Sequence, residues 1–460
     1  MVIKMQVSQF FDSELLKKYN TSGPRYTSYP TALEFHDQFG HKDLIKAVEN
    51  SPNRELSLYV HIPFCHSLCY YCGCNKVITR HRDKADTYLE YLAHEIASRA
   101  PLFTEYKVKQ LHWGGGTPSF LTHEQTTQLV SLLKEKFNFS DELEMSIEVD
   151  PREIELGLAD HLYSLGFNRL SIGVQDIDSK VQQAINRVQS TEFIGDFIAR
   201  AKEVGFQSIN VDLIYGLPHQ NTDSFSKTLD KVHEWDVDRI SLFSYAHLPS
   251  RFAAQRKLRD EWLPDASEKF ALMKLAIESL CGFGYDFIGM DHFAKPDDEL
   301  SIAQREGTLH RNFQGYTTKG SCDLLGLGVS SISAIGNCYS QNIKELKSYY
   351  QAIDDHLHAQ EKGLSLSNDD LIRGEVIREL MCNLHLDKQK INDKFGIDFD
   401  SYFADDLPLL DTFIQDGLLE NTKVHIHVEQ KARLLIRIIC MSFDAYMKQH
   451  VNQQRFSRVI

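Results

Sequence analysis

Short apolar, β-branched runs alternate with longer amphipathic segments through the first half of this 460-residue chain. Each run has the length of a strand, and each longer segment has the period of a helix. The strand-like runs are 56–62, 109–113, 143–149, 168–174, 208–215 and 238–245. The helix-like segments between them are 83–99, 122–137, 156–165, 191–204 and 223–234. Strands that alternate with helices run parallel and are joined by right-handed crossovers. Six such units predict an α/β fold with an open or incomplete (βα) barrel rather than a closed barrel of eight strands.

The alternating pattern defines four parts of the chain. Residues 1–50 include the turn-rich stretch GPRYTSYPT and are predicted to form an irregular N-terminal arm. The partial barrel is expected to span 51–300, and 301–345 is expected to be a connecting segment. The last part, 346–460, is predicted to be mostly helical. Its helical patterns cover 342–363, 370–384 and 407–420, and a strand-like pair near 418–428 precedes a last helix from about 429. This order of helices and hairpin is similar to a winged-helix module.

Charge and hydropathy limit the partners of the chain. The formal net charge is −14, and nucleic-acid binding depends on Lys and Arg neutralising phosphates, so no nucleic-acid partner is expected. No run of 18 or more apolar residues indicates a spanning helix, and the N-terminus lacks the pattern of a secretory signal. We therefore expect a cytoplasmic protein with no membrane partner and no structural disulfide.

Four cysteines, Cys65, Cys69, Cys72 and Cys74, lie within the ten residues CHSLCYYCGC, directly after the first predicted strand. In barrels and open α/β sheets the active site forms at the carboxyl ends of the strands, so the cluster lies where a site is expected. The spacing suits two kinds of metal centre. Structural zinc needs four ligands, and Cys74 and His66 could complete a tetrahedron. A [4Fe–4S] cube instead takes thiolates, and three cysteines in one loop leave its fourth iron open.

A glycine run follows the second predicted strand, in the stretch HWGGGTPS from 112 to 119. Three consecutive glycines let the backbone approach a ligand without interference from Cβ atoms. The cysteine loop and the glycine run, at successive strand ends, resemble the radical S-adenosylmethionine (SAM) superfamily. The fold implied is a partial (βα)6, TIM-like barrel of the radical SAM type, with the N-terminal arm over the active site and a mostly helical C-terminal domain.

A more specific resemblance, to one family within this superfamily, covers most of the chain, from about residue 19 to the end. The stretches YNTSGPRYTSYPTA, CGCNK, HWGGGTPSFL, SIGVQD, INRVQ, VDLIYGLP and LHRNFQGYTT together look like the family of oxygen-independent coproporphyrinogen III oxidases. The resemblance implies oxidative decarboxylation of two propionate side chains of coproporphyrinogen III to vinyl groups, by a 5′-deoxyadenosyl radical derived from SAM. The product is protoporphyrinogen IX, a precursor in haem biosynthesis. The resemblance also implies that segment 301–345 completes the active site.

The resemblance assigns residues position by position. It implies that Cys65, Cys69 and Cys72 bind a [4Fe–4S] cluster whose fourth iron binds SAM, whereas Cys74 matches a cysteine that is not a ligand. Positions matching contacts to the cluster-bound SAM are Tyr59, Gly115, Glu148 and Ile332. Positions matching contacts to a second SAM are Tyr71, Gly116, Thr117, Gln175, Arg187, Asp212 and Ala246. No further catalytic side chain is assigned.

Three alternatives stand beside the oxidase. The nearest is a haem chaperone on the same fold without oxidase activity, whose members usually have an aromatic residue at the position of Cys74 and lack the GPRYTSYPT arm. A radical SAM enzyme acting on tRNA is disfavoured by the net charge, and the third alternative is a zinc-stabilised binding module. For the oxidase we expect a reducing donor such as a flavodoxin-type protein, and a monomer by default.

Overall fold

The computed structural model describes residues 10–356 and 358–447. These residues form two compact units. The sheet unit comprises 35–272 and 321–365, and the helical unit comprises the described parts of 1–34, 273–320 and 366–460. The predicted arm 1–50 and C-terminal domain 346–460 therefore extend at their outer ends beyond the described residues.

The sheet unit is built on six consecutive parallel strands. They are β1 (Glu55–Ile62), β2 (Lys107–Gly115), β3 (Phe139–Val149), β4 (Arg169–Gln175), β5 (Ser208–Tyr215) and β6 (Arg239–Ser244). Each strand pairs in parallel with the next one along the chain. All but two residues in each of β1 and β5 are buried, as expected for strands covered on both faces. The six predicted strands are confirmed, with bounds that differ mainly at their ends.

Helices connect these strands as the sequence predicts. They are α1 (Asp83–Arg99), α2 (His123–Lys136), α3 (Gly157–Leu165), α4 (Thr191–Val204) and α5 (Thr222–Glu234). Side-chain caps set the starts of α2 and α5, where Thr122 and Asn221 accept hydrogen bonds from backbone N–H groups of the first turn. Left-handed glycines end α3 and α4, with φ of 103° at Gly166 and 109° at Gly205. A short helix, Ser179–Ala184, was not predicted.

Four further strands extend the sheet beyond β1. They are β7 (Asp323–Leu327), β8 (Ile332–Ile335), β9 (Cys338–Asn342) and β10 (Gln360–Ser365). β7 is parallel to β1, and β8, β9 and β10 follow in antiparallel order. Because β1 pairs with β2 on one side and β7 on the other, the parallel set does not close on itself. The predicted incomplete six-unit α/β barrel is therefore confirmed.

The added strands correct one part of the sequence analysis. The helical pattern predicted for 342–363 is right for Leu346–Asp354 and wrong for the end of that range, where β10 begins at Gln360. β10 forms because Cys338 to Asn342 offer a paired antiparallel edge, so sheet pairing overrides the helical period of the local sequence.

A buried carboxylate fastens these added strands to α1. Glu95 is 4% exposed and accepts hydrogen bonds from the Gly328 N–H (2.8 Å), the Asn342 amide (2.6 Å) and the Tyr349 hydroxyl (2.7 Å). Both carboxylate oxygens are thus used as acceptors. A group with only acceptors suits this position, because all three partners are donors.

Glu95→Gln is expected to destabilise the protein by about 2 kcal/mol, because it places an amide donor among three donors and leaves a buried group unsatisfied. Urea unfolding measures the change as a lower midpoint. Glu90→Gln is the matched control, since Glu90 is exposed on the same helix, and its effect is expected to stay within about 0.5 kcal/mol. Equal midpoints for the two variants would contradict the role of Glu95.

The helical unit contains helices, two hairpins and a small sheet. Its hairpins are Asp286–Gly289 with His292–Ala294 and His310–Asn312 with Gly315–Thr317. Its helices are Ser13–Tyr19, Glu299–Glu306, Asn368–Asn383, Lys388–Phe395, Phe399–Tyr402, Asp411–Gln415 and Ile436–Met441. The small sheet has the order His385–Asp387, His425–Val428, Leu419–Asn421. The mostly helical C-terminal region and the strand pair near 418–428 are confirmed. Helix Ala266–Gly282 spans the boundary between the two units in sequence.

The predicted irregular arm is only partly irregular. Within 1–50 the structure has helices Ser13–Tyr19 and His41–Asn50, and the irregular stretch lies between them. The first helix forms because the Asp12 carboxylate accepts from the N–H groups of Glu14 and Leu15. None of the helices in the described ranges has the length and apolar character needed to span a bilayer.

Candidate active site

Eight of the eleven SAM positions assigned by resemblance lie at one edge of the sheet unit, in the C-terminal halves of the parallel strands or just after them. They are Tyr59 on β1, Gly115 to Thr117 at the end of β2, Glu148 on β3, Gln175 at the end of β4, Asp212 on β5 and Ala246 just after β6. The carboxyl ends of parallel strands meet at this edge. Ile332 begins β8, and its carbonyl lies over Gly326, which pairs in register with Tyr59. The fold therefore collects residues that are far apart in sequence.

The cysteine loop leaves β1 and returns to the same place. Phe64–Cys65 pairs with Val77–Ile78, and the Val77 N–H donates to the Pro63 carbonyl at 2.7 Å. The intervening loop therefore holds the cysteines against the end of β1. Cys65 and Cys69 are buried, Cys72 is half-buried and Cys74 is exposed. All nine cysteines of the chain are free thiols.

A second loop supports the first, and it contains the motif INRVQ. The Ile185 carbonyl accepts from the Tyr70 N–H at 3.0 Å, and the Asn186 amide donates to the Leu68 carbonyl at 2.7 Å. Arg187 follows and donates from Nη1 to the Cys69 sulfur at 3.5 Å. The motif thus fixes the middle of the cysteine loop through backbone and side-chain contacts.

Each of the first three thiols has a hydrogen-bond donor. The Thr117 hydroxyl donates to Cys65 Sγ at 3.2 Å, and the Cys74 N–H donates to Cys72 Sγ at 3.4 Å. Hydrogen bonding from Cys74 lowers the pKa of the Cys72 thiol to about 6, against the opposing effect of burial. Burial raises the pKa of Cys65 to about 11.

These thiols suit an iron–sulfur cube, whose irons take thiolates. No three His, Cys, Asp or Glu side chains within 10–356 and 358–447 converge as one metal ion would require. A cube does not need such convergence, because each thiolate binds a different iron. His66, the fourth ligand considered for zinc, packs against the Phe120 ring at 4.4 Å between centroids. The sulfurs of Cys65, Cys69 and Cys72 each accept a hydrogen bond, and the pKa of Cys72 is lowered. These features fit a cluster that is bound by three thiolates.

The glycine run is required by close backbone approach. A Cβ on Gly115, whose φ is +116°, would lie 2.5 Å from the His61 ring. A Cβ on Gly116 would lie 2.6 Å from both the carbonyl carbon and the oxygen of Pro63. The Gly116 N–H also donates to the Ile62 carbonyl at 2.9 Å. The run therefore packs directly on the strand that leads into the cysteine loop.

Glu148 joins the glycine run to the neighbouring strands. Its carboxylate accepts from the Gly115 N–H at 3.2 Å and lies 3.6 Å from His112 Nε2. The Tyr59 ring stacks on His112 at 5.9 Å, and its hydroxyl hydrogen-bonds His61 Nδ1 at 3.1 Å. Three of the four positions matched to the cluster-bound SAM are thus linked by contacts or through one shared histidine.

Asp212 is a buried acid with a perturbed pKa. Burial, reinforced by the charge of Glu148, raises the pKa of its carboxyl to about 6. The Asn210 amide at 2.8 Å and the Ser171 hydroxyl at 3.4 Å donate to it. At neutral pH the fold therefore holds a carboxylate whose desolvation is incompletely compensated, which is characteristic of functional sites.

Asp212→Asn is expected to stabilise the protein at pH 7 by about 3 kcal/mol. The folded-state pKa exceeds the unfolded value, so the wild type binds more protons when folded and loses stability as pH rises from about 4 to 6. Urea unfolding at pH 7 and pH 4 measures the difference. The extra stability of Asp212→Asn over the wild type should vanish at pH 4. Equal extra stability at pH 4 and pH 7 would contradict a raised pKa of Asp212.

Tyr71 and Ala246 are joined by a residue that the sequence analysis missed. The Gln255 amide, 2% exposed, donates to the carbonyls of Tyr71 (3.1 Å) and Ala246 (3.2 Å). Gln175 has a left-handed backbone, with φ of 67°, at a bulge between β4 and β5. Such a conformation is uncommon outside glycine and concentrates at functional sites.

Thr117 and Arg187 contact cysteines in this structure. Arg187 is 5% exposed, and its charge is paired with Asp150 at 3.1 Å. Its Nη2 also donates to the Gly173 carbonyl at 2.6 Å. Arg152, also missed from the sequence, donates to the Cys69 sulfur at 3.3 Å. The sequence did indicate that Arg152 could belong to the site, because Asp150 and Arg152 directly follow β3, at the carboxyl ends of the parallel strands.

Two family models match the chain. The radical SAM superfamily matches residues 59–232, and the HemN C-terminal domain matches residues 366–435. Oxygen-independent coproporphyrinogen III oxidase of Escherichia coli K12 is 56% identical over 457 residues, covering 99% of this chain and 100% of that protein. The Salmonella typhimurium protein of the same name is 56% identical, covering 98% of both, and that of Pseudomonas aeruginosa is 48% identical, covering 98% and 99%. This chain belongs to the family of oxygen-independent coproporphyrinogen III oxidases.

A solved structure of the family agrees with the fold. Coproporphyrinogen III oxidase (HemN) from Escherichia coli, described as a radical SAM enzyme, matches with a TM-score of 0.92 at 55% identity. The match covers 95% of this chain and 100% of that one. The predicted family is therefore confirmed, and the oxidase is favoured over the chaperone. As a radical SAM family member, the chain uses a [4Fe–4S] cluster and SAM.

Proposed function

We propose that this protein oxidatively decarboxylates two propionate side chains of coproporphyrinogen III without oxygen and yields protoporphyrinogen IX. The observation that carries the proposal is identity of 56% along the whole length of enzymes with this name. Each of the two reactions removes one hydrogen atom, one electron and carbon dioxide from a propionate and leaves a vinyl group.

Cys65, Cys69 and Cys72 are the proposed cluster ligands. They are supported by the donors to their sulfurs and by the low pKa of Cys72. Cys65, Cys69 and Cys72 would hold the cluster, which with SAM would supply the radical chemistry for hydrogen abstraction, while the protein orients the substrate and excludes water. Cys74 is exposed, donates through its backbone N–H to Cys72, and is assigned no cluster iron.

The remaining positions are proposed to bind SAM. Tyr59, Gly115, Glu148 and Ile332 are the proposed contacts of the cluster-bound molecule, and Glu148 suits hydrogen bonding to ribose hydroxyls. The proposed contacts of a second SAM are Tyr71, Gly116, Thr117, Gln175, Arg187, Asp212 and Ala246. Thr117 and Arg187 also hydrogen-bond the sulfurs of Cys65 and Cys69, so both residues are proposed to orient the cluster ligands as well. A flavodoxin-type protein is the proposed electron donor, and the protein acts as a monomer in the cytoplasm.

An anaerobic assay tests the function. Protein is incubated with dithionite, SAM and coproporphyrinogen III, with a control that omits the porphyrinogen. Protoporphyrinogen IX and 5′-deoxyadenosine are expected to form together. SAM cleavage without porphyrinogen turnover would overturn the oxidase and support the chaperone.

A further inference from the structure

Two arginines and one aspartate form a chain of contacts that ends on Cys69. The Asp150 carboxylate accepts from Arg152 Nε at 2.9 Å and from Arg152 Nη2 at 2.5 Å. It also accepts from Arg187 Nη1 at 3.1 Å. Both guanidinium groups then donate to the Cys69 sulfur, at 3.3 Å from Arg152 and 3.5 Å from Arg187. Asp150 therefore orients two cations toward one thiol.

This group is removed from solvent. The side chains of Arg152, Arg187 and Asp150 are 11%, 6% and 14% exposed. Burial opposes ionisation of Asp150, but Arg187 and Arg152 lower its pKa to about 2. The three side chains therefore hold a net charge of +1 beside Cys69, in surroundings where water screens charge weakly.

We propose that Arg152, oriented by Asp150, is a positioning residue for the Cys69 thiolate and raises the reduction potential of the cluster. The inference rests on the proposed function only in requiring that Cys69 binds the cluster. One-electron reduction adds a negative charge to the cluster, so a buried positive charge and N–H donors to its sulfur stabilise the reduced form. Arginine suits the position because its planar fork reaches the carboxylate and the sulfur together.

Two substitutions should move the potential in opposite directions. Arg152→Gln removes a positive charge and is expected to lower the potential. Asp150→Asn removes a negative charge at nearly constant volume and is expected to raise it. A purely structural role would instead reduce iron content in both variants without opposite shifts.

The midpoint potential is measured by anaerobic titration with dithionite as the electron source, followed by electron paramagnetic resonance. We expect Arg152→Gln to change the one-electron equilibrium at least tenfold, which corresponds to 59 mV. Arg200→Gln is the control, because Arg200 pairs with Asp160 and Glu203 at the surface of α4, away from the cysteines.

Iron content separates this inference from the proposed function. A wild type that binds no cluster would overturn both. Full iron content in Arg152→Gln with a potential equal to the control, or shifts of the same sign in both variants, would overturn the inference alone. If Arg152→Gln loses iron, the same iron and potential measurements on Arg152→Lys, which keeps the positive charge, test the inference. A cluster with near-wild-type potential in Arg152→Lys supports the role of charge, and loss of the cluster there as well overturns it.

Discussion

Cys72→Ser is expected to leave a protein that folds but retains little iron and no oxidase activity. Hydrogen bonding from Cys74 lowers the pKa of the Cys72 thiol and so favours the thiolate, which is the form that cluster irons bind. A serine hydroxyl at this position stays protonated. Changing even the outer partners of a metal ligand lowers activity about 10–100-fold, so loss of the ligand should exceed about 100-fold.

Cys74→Ser is the matched control, since it makes the same change two residues away. Cys74 contacts Cys72 through its backbone N–H, which the substitution retains, and through its side chain, where the serine hydroxyl replaces one hydrogen-bond donor by another. Iron per chain and the visible absorption of anaerobically reconstituted protein should stay near wild type in Cys74→Ser and fall in Cys72→Ser. Full iron content in Cys72→Ser, or equal losses in the two variants, would contradict the assignment of three ligands.

The parallel core could be predicted from sequence because each element is locally consistent. β1 and β5 each have five apolar residues among eight, α2 and α5 begin at capping residues, and α3 and α4 end at glycine. Local period, cap and turn chemistry agree in these segments, which is the condition for a reliable prediction. Because the strands are parallel, their carboxyl ends lie on the same side of the sheet, and this predicts that the cysteine loop and the glycine run lie close together.

The antiparallel extension and the supporting polar residues could not be predicted in the same way. β7 to β10 are short, and their structure depends on pairing with one another and, for β7, with the distant strand β1. Arg152 reaches Cys69, and Gln255 reaches Tyr71, through hydrogen bonds that form only when loops distant in sequence meet. The position of Arg152 just after β3 indicates a site residue, but no periodicity or motif indicates which atoms Arg152 or Gln255 would contact, and a resemblance identifies only positions already assigned in relatives.

Gly116→Ala is expected to weaken both folding and SAM binding. The added Cβ would lie 2.6 Å from backbone atoms of Pro63 and 3.0 Å from the Ile62 carbonyl. Neither neighbour is a flexible side-chain end, so the glycine run and the entry to the cysteine loop must separate. Overpacking and loss of the hydrogen bond to Ile62 together should destabilise the protein by about 3 kcal/mol.

Gly157→Ala separates this effect from a general response to replacing glycine. A Cβ at Gly157, the first residue of α3, meets no atom within 4 Å. Alanine there should be neutral or stabilise the fold by roughly 0.5–1 kcal/mol, because it lowers the entropy of the unfolded chain. Urea midpoints and anaerobic SAM titration compare the two variants. Gly116 touches the strand that leads into the cysteine loop, so only Gly116→Ala should lose SAM affinity. If Gly116→Ala kept the wild-type SAM affinity and urea midpoint, the close contact of Gly116 with Pro63 would be dispensable.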